Sequence, residues 1–139
     1  MFKNIVVAVD GSEYSDRALQ HAKSIGERFE AKLWLAHIFP HTSDLLGYED
    51  YEKFFSKRKA IGQTILDDAR QKLGPTTLNV REELEEGPEA ESILKIAKKC
   101  QADLIVMGTR GLGTIKGILI GSVSRKVIHL ASVPVMVVH

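Results

Sequence analysis

The sequence predicts an α/β fold built on a parallel sheet, and three observations carry that reading. Short, continuous apolar runs recur along the chain, stripes of apolar residues at helical spacing lie between them, and one run ends in a glycine-rich stretch that leads into a helix. Uninterrupted runs are what strands buried on both faces of a parallel sheet require. Helices between them supply the crossovers that parallel pairing needs.

The first strand is Ile5-Val6-Val7-Ala8-Val9, followed by a helix whose stripe is Ala18, Ala22, Ile25 and Phe29. Leu33-Trp34-Leu35-Ala36 forms the second strand. A polar loop from His41 to Tyr51 precedes a second helix, marked by Tyr51, Phe54, Ile61, Ile65, Ala69 and Leu73. The segment Leu78 to Leu84 alternates and is heavily charged, which suits an edge strand with one wet side. A third helix follows on Ala90, Ile93 and Ala97, then the strand Leu104-Ile105-Val106-Met107, then a helix on Val123, Val127 and Leu130. The final strand, Val133 to Val138, has Pro134 at its start, where a missing donor is tolerated, and no charge to blunt an exposed edge. A homodimer covering this strand is the expected solution, with partial cover by a helix as the alternative. The order β-α-β-α-β-α-β-α-β implies right-handed crossovers.

A chain of 139 residues has room for one domain, expected to span 1–139, and for a real core. Its 19 Lys and Arg against 18 Asp and Glu leave a net charge of +1, so no general field recruits nucleic acid or anionic lipid. The single cysteine, Cys100, excludes an internal disulfide, and Met1-Phe2-Lys3-Asn4 opens no apolar signal run, so a cytoplasmic location is expected. No apolar stretch approaches the roughly 20 residues that span a bilayer, which argues against membrane insertion.

In open α/β sheets ligands bind beyond the carboxyl ends of the strands, where the winding reverses. Three segments fall at that edge: Asp10-Gly11-Ser12, His37-Ile38-Phe39, and the loop that starts at Gly108. Gly108-Thr109-Arg110-Gly111, nine residues, then Gly121-Ser122-Val123-Ser124 brings a strand end, glycines and a helix N-terminus to one place. Unpaired amides and hydroxyls gather there, so the natural occupant is an anion such as phosphate. Arg110 and Lys116 are candidate charge-assisted donors, with simple solvation the competing role. For Asp10 the functional reading is a carboxylate on a ribose hydroxyl, a base edge or a divalent ion; the alternative is turn-shaping, with Ser12 the better helix cap.

Other chemistries lack their residues. There is no Gly-x-x-x-x-Gly-Lys-Ser/Thr loop and no Gly-x-Gly-x-x-Gly turn. The histidines His21, His37, His41, His129 and His139 are scattered, so a metal site made from them is not expected. Cys100 reads as an inert small hydrophobe, and no nucleophile stands with a base and an orienting acid.

Taken together, Ile5 to Ser12, Leu35 to Ile38, Gly87 to Ala97 and Val106 to Ser124 resemble the universal stress protein family over essentially the whole chain. The spacing Gly108-x2-Gly111-x9-Gly121-Ser122 is similar to the signature of that family's ATP-binding branch. The resemblance implies a Rossmann-like, doubly wound five-stranded parallel sheet in the order 3-2-1-4-5, ATP between the first and fourth strands, and dimerisation through the fifth. Carried over by position, Ala8, Val9 and Asp10 would line the nucleoside, Ile38 would offer backbone groups to adenine, and Met107 with Gly108 would contact adenosine. Thr109, Arg110, Gly111, Gly121, Ser122, Val123 and Ser124 would hold ribose and phosphates, together with a magnesium or manganese ion. The family more often has one residue between glycine and proline where this chain has Gly87-Pro88, a departure at the start of the third helix that is expected to leave the nucleotide site untouched.

The expected function is an ATP-binding regulatory protein of the stress response, with ADP or AMP as further candidate ligands and a protein partner that the sequence does not name. Nucleotide would shift the dimer, the Thr42 to Tyr51 loop or a partner surface. Slow hydrolysis or autophosphorylation at Ser122 or Ser124 is compatible with that site. The competing reading is an ATP-hydrolysing or adenylating enzyme of similar architecture, but the ATP-pyrophosphatase loop Ser-Gly-Gly-x-Asp-Ser is replaced by Asp10-Gly11-Ser12-Glu13-Tyr14-Ser15. An FMN carrier would need a phosphate loop after the first strand and aromatic walls.

Overall fold

The computed structural model describes residues 1–41, 47–110 and 120–139. Its centre is β1 (Asn4–Ala8), where Ile5, Val6 and Val7 are fully buried, which is why this strand reads as a run rather than an alternation. Around it lie β2 (Lys32–Phe39), β3 (Val80–Glu86), β4 (Leu104–Gly108) and β5 (Val135–Val138). All pairings are parallel, and the strand order is β3-β2-β1-β4-β5. The doubly wound α/β sheet expected from the sequence is therefore the fold.

Helices α1 (Glu13–Phe29) and α2 (Tyr48–Leu73) cover one face, and α3 (Glu89–Lys99) and α4 (Ser122–Leu130) the other. The pleat of β1 divides its side chains between the two layers. Ile5 and Val7 pack with Ala18, Leu19 and Leu66, whereas Val6 packs with Ile93, Ile96 and Val127. Helix α1 starts where Ser12 Oγ accepts from the Ser15 amide at 3.2 Å, the cap expected from the sequence.

Several details differ from the sequence reading, among them the bounds of β1 and β2 by one to three residues. Helix α2 begins at Tyr48, so the loop ends before Tyr51; Glu49 and Asp50 in the first turn favour helix at its positive end. Strand β3 begins at Val80 rather than Leu78, and β5 at Val135, after Pro134. Phe29, Phe54, Ile61 and Leu130, assigned to helical stripes, are 43%, 44%, 55% and 53% exposed. Phe29 meets Phe2 edge-on and is otherwise open, Phe54 and Ile61 border the cavity, and nothing among the described residues covers Leu130.

Register sets the functional edge. Ala8 is level with Ala36, yet β2 continues through His37, Ile38 and Phe39. The Val9 amide donates to the Ala36 carbonyl at 2.8 Å, so Ala36 turns its backbone toward β1. Two residues on, the same alternation turns the Ile38 backbone into the space beyond the end of β1.

Truncating the fully buried Leu35 in β2 removes packing from the α1–α2 layer. Leu35→Ala should cost about 2–5 kcal/mol of unfolding free energy in a denaturant titration. An unchanged midpoint would show that this strand is not the core element described.

Candidate functional site

The reversal of winding falls between β1 and β4, and a cavity with a volume of about 930 Å³ opens there. Every residue expected at the site that lies among the described ones lines it: Ala8, Val9, Asp10, Ile38, Met107, Gly108, Thr109, Arg110, Gly121, Ser122, Val123 and Ser124. Gly111, Lys116 and Thr42 to Leu46 lie outside the described residues.

The floor of the cavity is made where β4 ends. A Cβ at Gly108 would lie 2.6 Å from Tyr14 Cβ and 2.9 Å from the Tyr14 carbonyl carbon, so only glycine lets α1 sit this close to the strand. Beyond it, the Thr109 amide donates to the Val138 carbonyl at 2.8 Å, and the Gly121 amide donates to the Thr109 carbonyl at 2.6 Å. These two amides are spent on the scaffold. They tie the far end of the glycine loop back onto β4, which brings the N-terminus of α4 to the cavity.

Gly121 has no side chain to cap that helix, and no acidic residue stands in its first turn. The positive end of α4 is thus presented without an internal carboxylate. Ser122 is exposed at this end. Ser124 differs: it is 2% exposed, and its hydroxyl donates to the Thr109 carbonyl at 2.9 Å, with the Gly121 carbonyl 3.1 Å away. It braces the loop and keeps only acceptor capacity for a ligand.

The cavity lining also holds acidic groups. Asp10 Oδ1 accepts from the Ser12 amide at 2.9 Å, so Asp10 shapes the turn and lines the cavity at once; the two roles weighed for it coexist. His37 donates Nδ1–H to the Val9 carbonyl at 2.7 Å, which fixes the tautomer, since a carbonyl can only accept. Glu89, the first residue of α3, is a third polar group here and was not anticipated. The Gly87-Pro88 departure was read as leaving the nucleotide site untouched, whereas Glu89, directly after it, lines the cavity.

The Glu89 carboxyl is raised above its ordinary value, first by burial and then by the nearby Asp10 carboxylate, against a smaller opposite pull from His37. The residue keeps exposed surface, so solvent screens part of the effect. Phe54, Lys57, Arg58, Ile61 and Ile65 of α2 form a further wall that the sequence reading missed, because their stripe was read as core. Among the described residues no group of three or more His, Cys, Asp or Glu is placed to hold a metal ion. Cys100 lies away from the cavity, buried, with its thiol pushed up to about 11 by burial and then by Glu83, the state of an unreactive thiol.

The Glu89 shift has a definite sign. The folded state holds this proton to higher pH than the unfolded chain, so stability falls as pH rises from the ordinary carboxylate value through the raised one. Glu89→Gln removes that loss. The variant should gain stability over the parent at pH 7 and lose that advantage near pH 4, measured by urea unfolding. The same difference at both pH values would show that the carboxyl carries no such strain.

Comparison with known proteins places this geometry in context. The universal stress protein family model matches residues 1–139. A universal stress protein of Thermus aquaticus is 37% identical over 138 residues, covering 99% of both chains. The solved structure of hypothetical protein MJ0577 superposes with a TM-score of 0.90 at 28% identity, over 99% of this chain and 96% of that one. A universal stress protein solved in complex with cAMP gives a TM-score of 0.75 at 30% identity, over 99% and 97%. The chain belongs to the universal stress protein family.

Proposed function

We propose that residues 1–139 act as one ATP-binding regulatory domain of the stress response, with the nucleotide in the cavity between β1 and β4. The observation that carries this reading is the mixed lining of that cavity. It combines the uncapped N-terminus of α4 and Arg110 with the Asp10 carboxylate and the strand end at Ile38. A nucleotide combines an anionic tail with a nucleoside rich in hydrogen-bond donors.

In this reading Ala8, Val9, Asp10 and Ile38 receive the nucleoside, Met107 and Gly108 pack on it, and Thr109, Arg110, Gly121, Ser122, Val123 and Ser124 surround the ribose and phosphates. Gly111 belongs to the same proposal. Magnesium or manganese enters with the nucleotide, because the described residues offer no cluster able to hold it alone and such ions are readily carried by phosphate oxygens. The relative solved with cAMP supports an adenine nucleotide as the ligand class and makes a cyclic nucleotide the second reading. Autophosphorylation, if it occurs, belongs on exposed Ser122 rather than on buried, hydrogen-bonded Ser124.

The edge position of β5, with Ile128 and Leu130 exposed on α4, supports a homodimer through this side of the sheet. No helix among the described residues is long and apolar enough to cross a membrane. A cytoplasmic protein acting through a protein partner is consistent with that.

Calorimetric titration with ATP, ADP, AMP and cAMP in magnesium, with product analysis of the same samples, tests the reading. ATP binding without turnover supports regulation, whereas rapid release of ADP, or of AMP with pyrophosphate, makes the chain an enzyme. A Cβ at Gly121 already lies 3.2 Å from the Thr109 carbonyl oxygen, so a branched side chain has to spread over the loop. Gly121→Val should lose detectable ATP binding and still show a cooperative melt. Undiminished affinity would remove the phosphates from this loop.

A further inference from the structure

Tyr14, in the first turn of α1, lies outside the cavity wall and against its floor. Two guanidinium groups approach its ring: Arg110 Cζ is 4.7 Å from the centroid and Arg17 Cζ 5.0 Å. Their other engagements differ. Arg17 is exposed, donates Nε–H to the His139 carbonyl at 3.0 Å and has Glu13 4.0 Å away. Arg110 lines the cavity, and its Nε is buried with no hydrogen-bond partner among the described residues.

A buried guanidinium N–H with no acceptor is costly, and an oxygen of a bound anion would relieve that cost. The fork of an arginine matches phosphate oxygens, but a long free side chain loses considerable rotamer entropy on binding one. The Tyr14 ring restricts Arg110 before a ligand arrives, since a cation held over an aromatic face is favoured most where water is excluded.

We propose that Tyr14 is a positioning residue for the anionic part of the ligand: its ring holds the Arg110 guanidinium at the cavity with the unpartnered Nε–H ready for a phosphate oxygen. The proposal rests on the nucleotide reading of the cavity. Tyr14 touches no ligand and acts only through Arg110, so it sets the preference for ATP over adenosine and leaves the nucleoside alone. Its ring, not its hydroxyl, carries the effect.

The test is the affinity of the full chain for ATP and for adenosine in the parent, Tyr14→Leu and Tyr14→Phe proteins. Tyr14→Leu should weaken ATP by roughly tenfold, the weight of a desolvated cation–π contact. Adenosine should stay within about twofold, and Tyr14→Phe should match the parent for both ligands. Tyr14→Met, unbranched and without a ring, replaces the leucine variant if that protein fails to fold. In an Arg110→Ala background the loss of the ring should change nothing further. Equal losses for ATP and adenosine, an unchanged ATP affinity in Tyr14→Leu, or a Tyr14→Phe protein as weak as Tyr14→Leu would each overturn the proposal. If the parent binds neither ligand, the nucleotide reading falls and the proposal with it; if it binds both and their ratio does not move in Tyr14→Leu, only the proposal falls.

Discussion

Strand β1 is paired on both sides, with β2 at one flank and β4 at the other, and the chain leaves those neighbours toward opposite faces of the sheet. Two helix layers therefore part above the carboxyl ends of β1 and β4, and no side chain from the sheet can fill the gap. The gap is kept usable by one close contact. Gly108 lets α1 lie directly on the end of β4, so that Asp10 and Arg110 line one cavity with the Tyr14 ring against Arg110. A side chain at Gly108 would drive the Tyr14 backbone away, and the acidic turn and the arginine would separate. The site thus depends on backbone packing before it depends on any charge.

Much of this was legible because apolar runs and helical stripes report burial, and burial here follows topology closely. Ile5, Val6 and Val7 are buried on both faces, and β3, with its charged alternation, is an edge. The strand-end positions of Asp10, Ile38 and Gly108 followed from the same logic. What failed was the assumption that a helical stripe is all core. Phe54 and Ile61 keep the right spacing but face an opening, and no periodicity separates an apolar residue against the sheet from one bordering a cavity above it. The same limit hid Lys57 and Arg58. Glu89 was hidden for another reason, since its proximity to Asp10 arises across the sheet from residues distant in the chain.

Individual roles proved less separable than the sequence suggested. Asp10 was weighed as either a ligand or a turn residue, yet one carboxylate oxygen closes the turn while the residue lines the cavity. Ser122 and Ser124 looked equivalent on one helical turn. Their environments differ, because Ser124 lies under the loop, bracing the Thr109 carbonyl, while Ser122 stands in solvent. The Thr109 amide is likewise spent on the Val138 carbonyl of β5, and the Gly121 amide on the Thr109 carbonyl. Among the described residues of this loop, the groups left open to an anion are the start of α4 and Arg110, a narrower set than its glycines and hydroxyls imply.

The central claim is that an adenine nucleotide lies between β1 and β4 with its phosphates at the start of α4. The most direct measurement is a titration of the isotopically labelled protein with ATP and magnesium, followed amide by amide by NMR. The account predicts that the largest shifts gather at Asp10, Ile38, Arg110 and Ser122 to Ser124. Shifts confined to the outer faces of α1 and α2, around Asp16 and Lys72, with the first turn of α4 unmoved, would contradict it.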